Sequence, residues 1–246
     1  MKRYLLPIFA VWMLLACSAG DAAASITDFA VFGNGDVTIT TDSTGSGVEG
    51  DVHTNNNFTI SNMAVVTGFT SAVGTVTKAG SSELQGGYAE HVSPVSFPSL
   101  ATILSNVGPY TTLTGDQFFG SNATFSGIYF VDGTLTFNYG ASGTATFIVT
   151  KDIVLTGNSS LHAFVNPDSN FKYGLALYSG KTITVDDARL FGSMAAKDSI
   201  TIVGKSEISS DCFSPTVPEP CAMSLLGIGL LGLRFFAIKR KRSPLV

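Results

Sequence analysis

Short segments rich in β-branched and aromatic residues recur between turns of Gly, Asn, Asp and Ser, and this recurrence most limits the possible folds. Examples are DVTIT, NFTIS, GTVTK, GTLTF, TATFIV, DIVLTG, KTITV and DSITIV, in which apolar and polar side chains alternate. Alternation with turn residues on both flanks predicts β-strands. The body of the chain is therefore expected to be all-β.

The strands also repeat along the chain with a period of about 17 to 21 residues. The matched positions are Ile183 with Ile200, Thr184 with Thr201, Val185 with Ile202, Leu190 with Ile208, Ile39 with Ile60, and Gly50 with Gly68. Three short strands in each period predict a parallel β-helix (β-solenoid), whose stacked turns share one core. Because the period varies, a β-sandwich stays open as the alternative.

One segment has helical periodicity instead. Apolar residues follow the i, i+3, i+4, i+7 pattern at Leu100, Ile103, Leu104 and Val107. Ser99 is placed to cap the segment, and Gly108-Pro109 is placed to end it. The sequence predicts one short helix over residues 99–107, packed on the all-β body.

The N-terminus has the features of a secretory signal peptide. Lys2 and Arg3 precede an apolar run, and Ala22 and Ala24 form an Ala-x-Ala site that places cleavage before Ser25. A lipoprotein signal, with lipid attached at Cys17, is the alternative.

The C-terminus combines an apolar segment with a block of positive charge. Residues 221–238 are apolar apart from Arg234, and as a helix they would span roughly 27 Å, enough for a bilayer core. The cluster of Lys239, Arg240, Lys241 and Arg242 then marks the cytoplasmic side. The sequence predicts a single C-terminal transmembrane helix with the body facing outward.

A Pro-Glu-Pro motif stands just before this helix. Together with the preceding valine it comprises Val217, Pro218, Glu219 and Pro220. The order of motif, apolar helix and basic cluster resembles the PEP-CTERM sorting signal of Gram-negative bacteria, over residues 217–242. The resemblance implies an exosortase as partner. It also implies transient anchoring in the inner membrane, followed by transfer to the cell surface or extracellular matrix. A plain C-terminal membrane anchor is the alternative.

These features divide the chain into consecutive segments. They are the signal peptide (1–24), the β-solenoid body (25–211), a linker (212–216), the sorting signal (217–242) and a tail (243–246). Residues 25–216 hold 16 acidic and 7 basic side chains, a net charge of −9. Such an acidic body argues against nucleic-acid binding, which needs a basic surface.

The body offers little metal or redox chemistry. Cys212 would be its single cysteine after both ends are removed, and no metal-ligand spacing of Cys or His occurs. We therefore expect no cofactor and no metal. The adjacent carboxylates of Asp186 and Asp187 are interpreted as hydrated turn residues, with Ca²⁺ binding as the alternative.

Catalytic patterns are equally sparse, so the sequence favours a protein that is not an enzyme. His53, His91 and His162 lack any base or metal spacing. A polysaccharide-active β-helix enzyme would need two carboxylates that converge, whereas neighbours on a strand point to opposite faces.

Threonine pairs are the remaining signal. Each T-x-T pair puts two hydroxyls on one face of a strand: Thr38 with Thr40, Thr75 with Thr77, Thr134 with Thr136, and Thr182 with Thr184. Aligned pairs would suit a ligand-binding adhesin for polysaccharide or ice. Their uneven spacing along the chain favours a simpler role as strand-surface residues.

Parts of the body loosely resemble bacterial surface β-solenoids. DFAVFGNGDVTIT and GVEGDVHTNNNFTIS are similar to openings of choice-of-anchor and ice-binding-like domains, and LFGSMAAKDSITIVGKSEI to rungs of polymer-forming domains. We expect an exported structural protein of the surface or matrix, associated with exopolysaccharide or biofilm.

Overall fold

The computed structural model describes residues 26–42, 46–164 and 174–209. These ranges contain one 3-10 helix (Ile26–Asp28), one α-helix, α1 (Leu100–Asn106), and 23 strands. In chain order the strands are β1 (Val31–Gly33), β2 (Val37–Thr41), β3 (Gly47–Glu49), β4 (Val52–Thr54), β5 (Phe58–Asn62), β6 (Val65–Val66), β7 (Thr70–Ala72), β8 (Val76–Lys78), β9 (Glu83–Leu84), β10 (Tyr88–Ala89), β11 (Thr111–Thr114), β12 (Gln117–Phe119), β13 (Thr124–Asp132), β14 (Leu135–Phe137), β15 (Ser142–Val149), β16 (Ile153–Thr156), β17 (Ser160–His162), β18 (Leu175–Ser179), β19 (Ile183–Asp186), β20 (Arg189–Phe191), β21 (Ser193–Ala196), β22 (Ile200–Gly204) and β23 (Glu207–Ser209).

The strands stack into a parallel β-solenoid of about nine turns with three faces. Face 1 holds β11, the C-terminal halves of β13 and β15, β18, β21, β1, β4, β7 and β10. Face 2 holds β12, β14, β16, β19, β22, β2, β5 and β8. Face 3 holds the N-terminal halves of β13 and β15, β17, β20, β23, β3, β6 and β9. The predicted solenoid is thereby confirmed over the β-sandwich.

The order of turns along the stack differs from their order in the chain. The last described turn, β21 to β23, pairs with the first, β1 to β3, through Met194 and Val31, Ile202 and Ile39, and Ile208 and Val48. β4 to β10 continue the stack to one end, and β11 to β20 extend it to the other. The N- and C-terminal ends of the described body therefore lie in adjacent turns inside the stack.

Apolar side chains of equivalent strands form continuous inward columns. Ile183 pairs with Ile200, and Val185 with Ile202, in the register that the repeat predicted. All four side chains are fully buried. The predicted matches of Ile39 with Ile60 and of Leu190 with Ile208 are confirmed as well. Since a single turn could not bury these side chains, the core exists only in the stack.

Glycine is required at the corner between faces 3 and 1. Gly50 and Gly68, which lie 18 residues apart, are stacked here. A Cβ on Gly68 would approach the Gly50 carbonyl carbon to 2.2 Å, and one on Gly86 would approach the Gly68 carbonyl to 2.4 Å. Successive turns therefore come closer at this corner than any side chain allows.

Residues 90–110 carry the chain from one end of the stack to the other, across the outside of face 1. Within them, α1 begins after Ser99, whose hydroxyl accepts from the Thr102 N–H, so the predicted helix and its cap are confirmed. Ile103 and Val107 of this segment pack on outward side chains of face 1, including Phe32 and Tyr178. We call residues 90–110 the crossing segment.

Among the described residues, no helix has both the length and the apolar character needed to cross a bilayer. The predicted transmembrane helix, residues 221–238, lies outside the described ranges.

Candidate functional site

The predicted targeting residues lie outside the described part of the chain. They comprise the cleavage site at Ala22, Ala24 and Ser25, the motif Val217, Pro218, Glu219 and Pro220, and the cluster Lys239, Arg240, Lys241 and Arg242. Cys212, which would be the one cysteine left after removal of both ends, lies outside the described ranges as well. These assignments stay predictions, so the candidate site must be sought on the surface of the solenoid.

Face 2 carries an outward row of threonines along the stack. Strand register places one outward residue of each strand next to its neighbour, in the order Phe118, Thr136, Val154, Thr184, Thr201, Thr38, Thr59 and Thr77. We call these eight residues the threonine row. Five threonines, from Thr184 to Thr77, follow one another without interruption. At the usual strand separation of 4.7–4.9 Å, the eight positions extend over about 34 Å.

The six threonine hydroxyls of the row are free for external contacts. Within the described residues, no hydrogen bond joins any of them to another protein group, and their side chains are half-buried or exposed. The inward neighbours of five of these threonines, such as Ile39 beside Thr38, are fully buried and fix the strand, whereas Val76 beside Thr77 is half-buried at the end of the stack. The row therefore presents hydroxyl and methyl groups from a rigid support.

Polar groups on either side of the row are engaged within the protein. On one side, Thr40 and Ser61 share a hydrogen bond of 2.8 Å between their hydroxyls. On the other side, at the corners before β2, β5, β12 and β16, a carboxylate or amide accepts a backbone N–H from the next turn. Asp36 accepts from Asn57 at 3.1 Å, and Asp116 accepts from Thr134 at 2.8 Å. These corner residues hold the turns in register.

The corner carboxylates also place negative charge beside the row. The Thr134 backbone N–H, and after it the Lys151 ammonium, keep the pKa of the exposed Asp116 carboxyl below its usual value. Asp36 and Asp152 occupy equivalent corner positions, and Asp186 lies on the other flank of the row. The row itself contains no charged side chain, so an uncharged strip is bordered by carboxylates.

The predicted T-x-T pairs are divided between these positions. Thr38, Thr77, Thr136 and Thr184 stand in the row, whereas Thr75, Thr134 and Thr182 occupy the corner. The sequence reading missed Thr59 and Thr201, although the repeat itself matched Thr201 to Thr184. The T-x-T pairs are unevenly spaced along the chain, but the row is regular in the structure, because the corners and loops between the strands differ in length.

Face 1 is closed to ligands over much of its length by the crossing segment. The Tyr178 hydroxyl donates to the Pro98 carbonyl at 3.0 Å, and its ring stacks on Phe97 at 5.5 Å. Burial raises the pKa of Tyr178 to about 12. This phenol is a fixed hydrogen-bond donor in a packed interface.

His53 belongs to the same interface. Its Nε2 donates to the Asn55 Oδ1 at 3.0 Å, and its Nδ1 lies 2.8 Å from the Ser71 hydroxyl. Asn55 also binds both the N–H and the carbonyl of Val95 in the crossing segment. Burial lowers the pKa of His53, and the hydrogen bond to Asn55 opposes this shift in part. The imidazole therefore acts as a structural group.

Face 3 has a shallow groove with mixed chemistry. The groove encloses about 540 Å³ and is lined by Glu49, Thr67, Gln85, Phe191 and Glu207, among others. Arg189 and Glu207 form an exposed ion pair of 3.1 Å at its edge. The lining also includes Ser46 and Ser209, each of which adjoins residues that the structure does not describe. We therefore propose no site in this groove.

The carboxylates of Asp186 and Asp187 lie near one another, whereas strand neighbours were expected to point apart: the Oδ1 atom of each lies within 2.9 Å of the position that a Cβ on Gly204 would occupy. Asp186 ends β19 on the outer side of face 2. Asp187 follows in a turn with φ of 52°, and its carboxylate accepts the Lys205 N–H at 2.7 Å. Within the described residues, no cluster of three or more His, Cys, Asp or Glu side chains is arranged to hold a metal.

No family model matches the chain, and neither a curated protein nor a solved structure matches it.

Proposed function

We propose that this protein is an exported structural component of the bacterial cell surface or extracellular matrix, sorted by an exosortase and associated with exopolysaccharide. The observation that carries the proposal is the solenoid itself. Inward side chains from every turn fill its interior, so the described body offers ligand contacts on its outer faces. A rigid rod with polar outer faces is suited to a structural or adhesive role.

The two chain ends support the exported location. A signal-peptide pattern ends at Ser25, and the Pro-Glu-Pro motif, apolar segment and basic cluster follow one another at the C-terminus. The acidic charge of the body supports a well-hydrated surface protein and argues against binding to nucleic acid.

Sorting can be tested by replacing Pro218, Glu219 and Pro220 with alanine. We expect normal export but accumulation of the unprocessed chain in the inner membrane, because the motif is the proposed recognition element of the exosortase. Cell fractionation and the mass of the mature protein measure this outcome. Ser214→Ala, a linker change outside the motif, serves as the control and should be sorted normally. Normal processing and surface delivery of the triple variant would refute exosortase sorting.

A ligand-binding adhesin is the second candidate, and the threonine row favours it. The row gives a matrix protein a surface with which it could hold a polymer directly, so the two candidates are compatible.

A further inference from the structure

We propose that the threonine row binds an ordered, uncharged polysaccharide, with the polymer lying along the stack axis of face 2. This inference rests on the proposed function and names the ligand class and the surface that the proposal leaves open. It concerns eight residues that come from both the N-terminal and the C-terminal turns of the solenoid.

The threonine row is periodic. Because parallel register places equivalent atoms of successive turns one strand separation apart, the row repeats one hydroxyl and one methyl every 4.7–4.9 Å. Five consecutive threonines maintain this pattern without interruption. A repeating surface of this kind matches a ligand that also repeats, and gains affinity with each repeat that it contacts.

Each threonine of the row combines polar and apolar groups that suit a sugar. A threonine side chain offers a hydroxyl that can donate and accept, beside a methyl group. Sugar rings likewise combine hydroxyls with apolar C–H faces. Since the row hydroxyls have no partner within the described protein, a ligand need not break existing hydrogen bonds to reach them.

Phe118 stands at one end of the row. Its side chain is 67% exposed and lies beside Thr136 in register. An exposed aromatic ring aligned with hydroxyl groups suits the apolar face of a sugar ring. Ice presents no such face, so Phe118 favours polysaccharide over ice as the ligand.

The charges beside the row favour an uncharged ligand. The row is neutral, whereas Asp36, Asp152 and Asp186 flank it, together with Asp116, which is paired with Lys151 at 3.7 Å. An anionic polymer lying along the row would be repelled from both sides. The ligand is therefore an uncharged polysaccharide.

Rigid presentation strengthens the binding. β-branched threonines on a paired strand have restricted χ1 angles, and the buried residues between them hold the backbone in place. Little side-chain entropy remains to be lost when a ligand binds.

The test uses the full chain, purified in detergent, and co-sedimentation with cellulose and chitin as insoluble uncharged probes. Thr38→Lys combined with Thr201→Lys places two long charged side chains in the centre of the row. We expect the apparent Kd for at least one probe to rise by about tenfold or more. Thr144→Lys on face 3 is the matched control, because Thr144 is also a strand threonine that is not buried, and it should change the Kd less than about twofold.

Two further variants separate the contributions of the row. Thr59→Val keeps the shape and removes the hydroxyl, and Phe118→Ala removes the aromatic ring. Both should weaken binding while the circular dichroism spectrum and melting temperature stay close to those of the parent protein.

Three outcomes would overturn the inference. One is unchanged binding in a folded double-lysine variant, and another is the absence of binding to both probes by the parent protein. The third is modification of ice-crystal growth that the double-lysine change abolishes, without polysaccharide binding, which would assign the row to ice. The sorting experiment has a separate readout, since correct processing can coexist with an inert row.

Discussion

His53 illustrates how a polar side chain becomes structural in this protein. It stacks on Phe32 with ring centroids 5.3 Å apart, beneath the crossing segment that Asn55 holds through Val95. The neutral imidazole forms hydrogen bonds with both Ser71 and Asn55. A second ring proton would place charge in this partly buried interface, where it is poorly solvated.

Stability should therefore depend on pH through His53. The folded pKa lies below the reference value of 6.5, so the unfolded chain binds the proton more readily. The contribution of the neutral imidazole is fully present above pH 6.5, and it is lost as pH falls through the folded pKa. Thermal melting of residues 25–216 between pH 7.5 and 5 should show a decreasing melting temperature.

His53→Gln supplies the comparison, because glutamine keeps hydrogen-bonding groups but does not titrate. Its melting temperature should fall less steeply over the same range, even if it is lower at pH 7.5. Equal slopes in the two proteins would assign the pH dependence to other groups.

The threonine row shows what the sequence reveals about single residues. The T-x-T pairs predict that hydroxyls face outward in pairs, and Thr38 and Thr40 do so. Alignment across turns depends on which strand neighbours which. Since Thr38 lies beside Thr201, 163 residues away, spacing along the chain could not indicate the row.

Among the structural elements, strands of face 2 were the easiest to recognise. Seven of its eight strands lie in segments with clear alternation, because their inner side packs in the core and their outer side meets water. β12 was missed because Phe118 replaces the outward polar residue. Strands β1, β4, β18 and β21 of face 1 are buried throughout, since the crossing segment covers their outer side. Their alternation is accordingly weak, and no local pattern marks them.

The close stacking of Gly50 and Gly68 at the corner between faces 3 and 1 predicts that a larger residue there lowers stability. Gly68→Ala should destabilise the protein by about 1–3 kcal/mol, because the added methyl would meet the Gly50 backbone, which cannot move independently of its turn. Denaturant unfolding of residues 25–216 measures the change in free energy.

Gly120→Ala is the matched control, since an added Cβ there has no atom within 4 Å. Its unfolding free energy should stay within about 0.5 kcal/mol of the parent value. Equal unfolding free energies of the two variants would refute the close stacking of turns at Gly50 and Gly68.

For the whole molecule, the order of turns predicts that a circular permutant folds. In the parent stack, the Gly50-Asp51 corner joins Glu49 to Val52 of the next turn. Ser209 pairs with Glu49, and Val31 pairs with Val52, so the same two-residue corner can join Ser209 to Val31. New termini between Gly108 and Pro109 would leave residues 90–108 of the crossing segment attached to β10.

The permutant should have the circular dichroism spectrum of residues 25–216 and a melting temperature close to theirs. A permutant with the same cut but a rigid Pro-Pro joint is the control, and it should be less stable, because proline cannot adopt the positive φ of 123° found at Gly50. If the Gly-Asp permutant failed to fold, the continuity between the last and first turns would be refuted.

The pairing of the last turn with the first also determines when the stack can be completed during synthesis. A ribosome makes β1 to β3 first, but one side of these strands stays unpaired until β21 to β23 arrive, more than 150 residues later. Such long-range contacts give a high contact order and slow folding, and they prolong the exposure of an unpaired edge. Vectorial synthesis can thus assemble the C-terminal turns one upon another, whereas closing the gap in the stack must wait for a nearly complete chain.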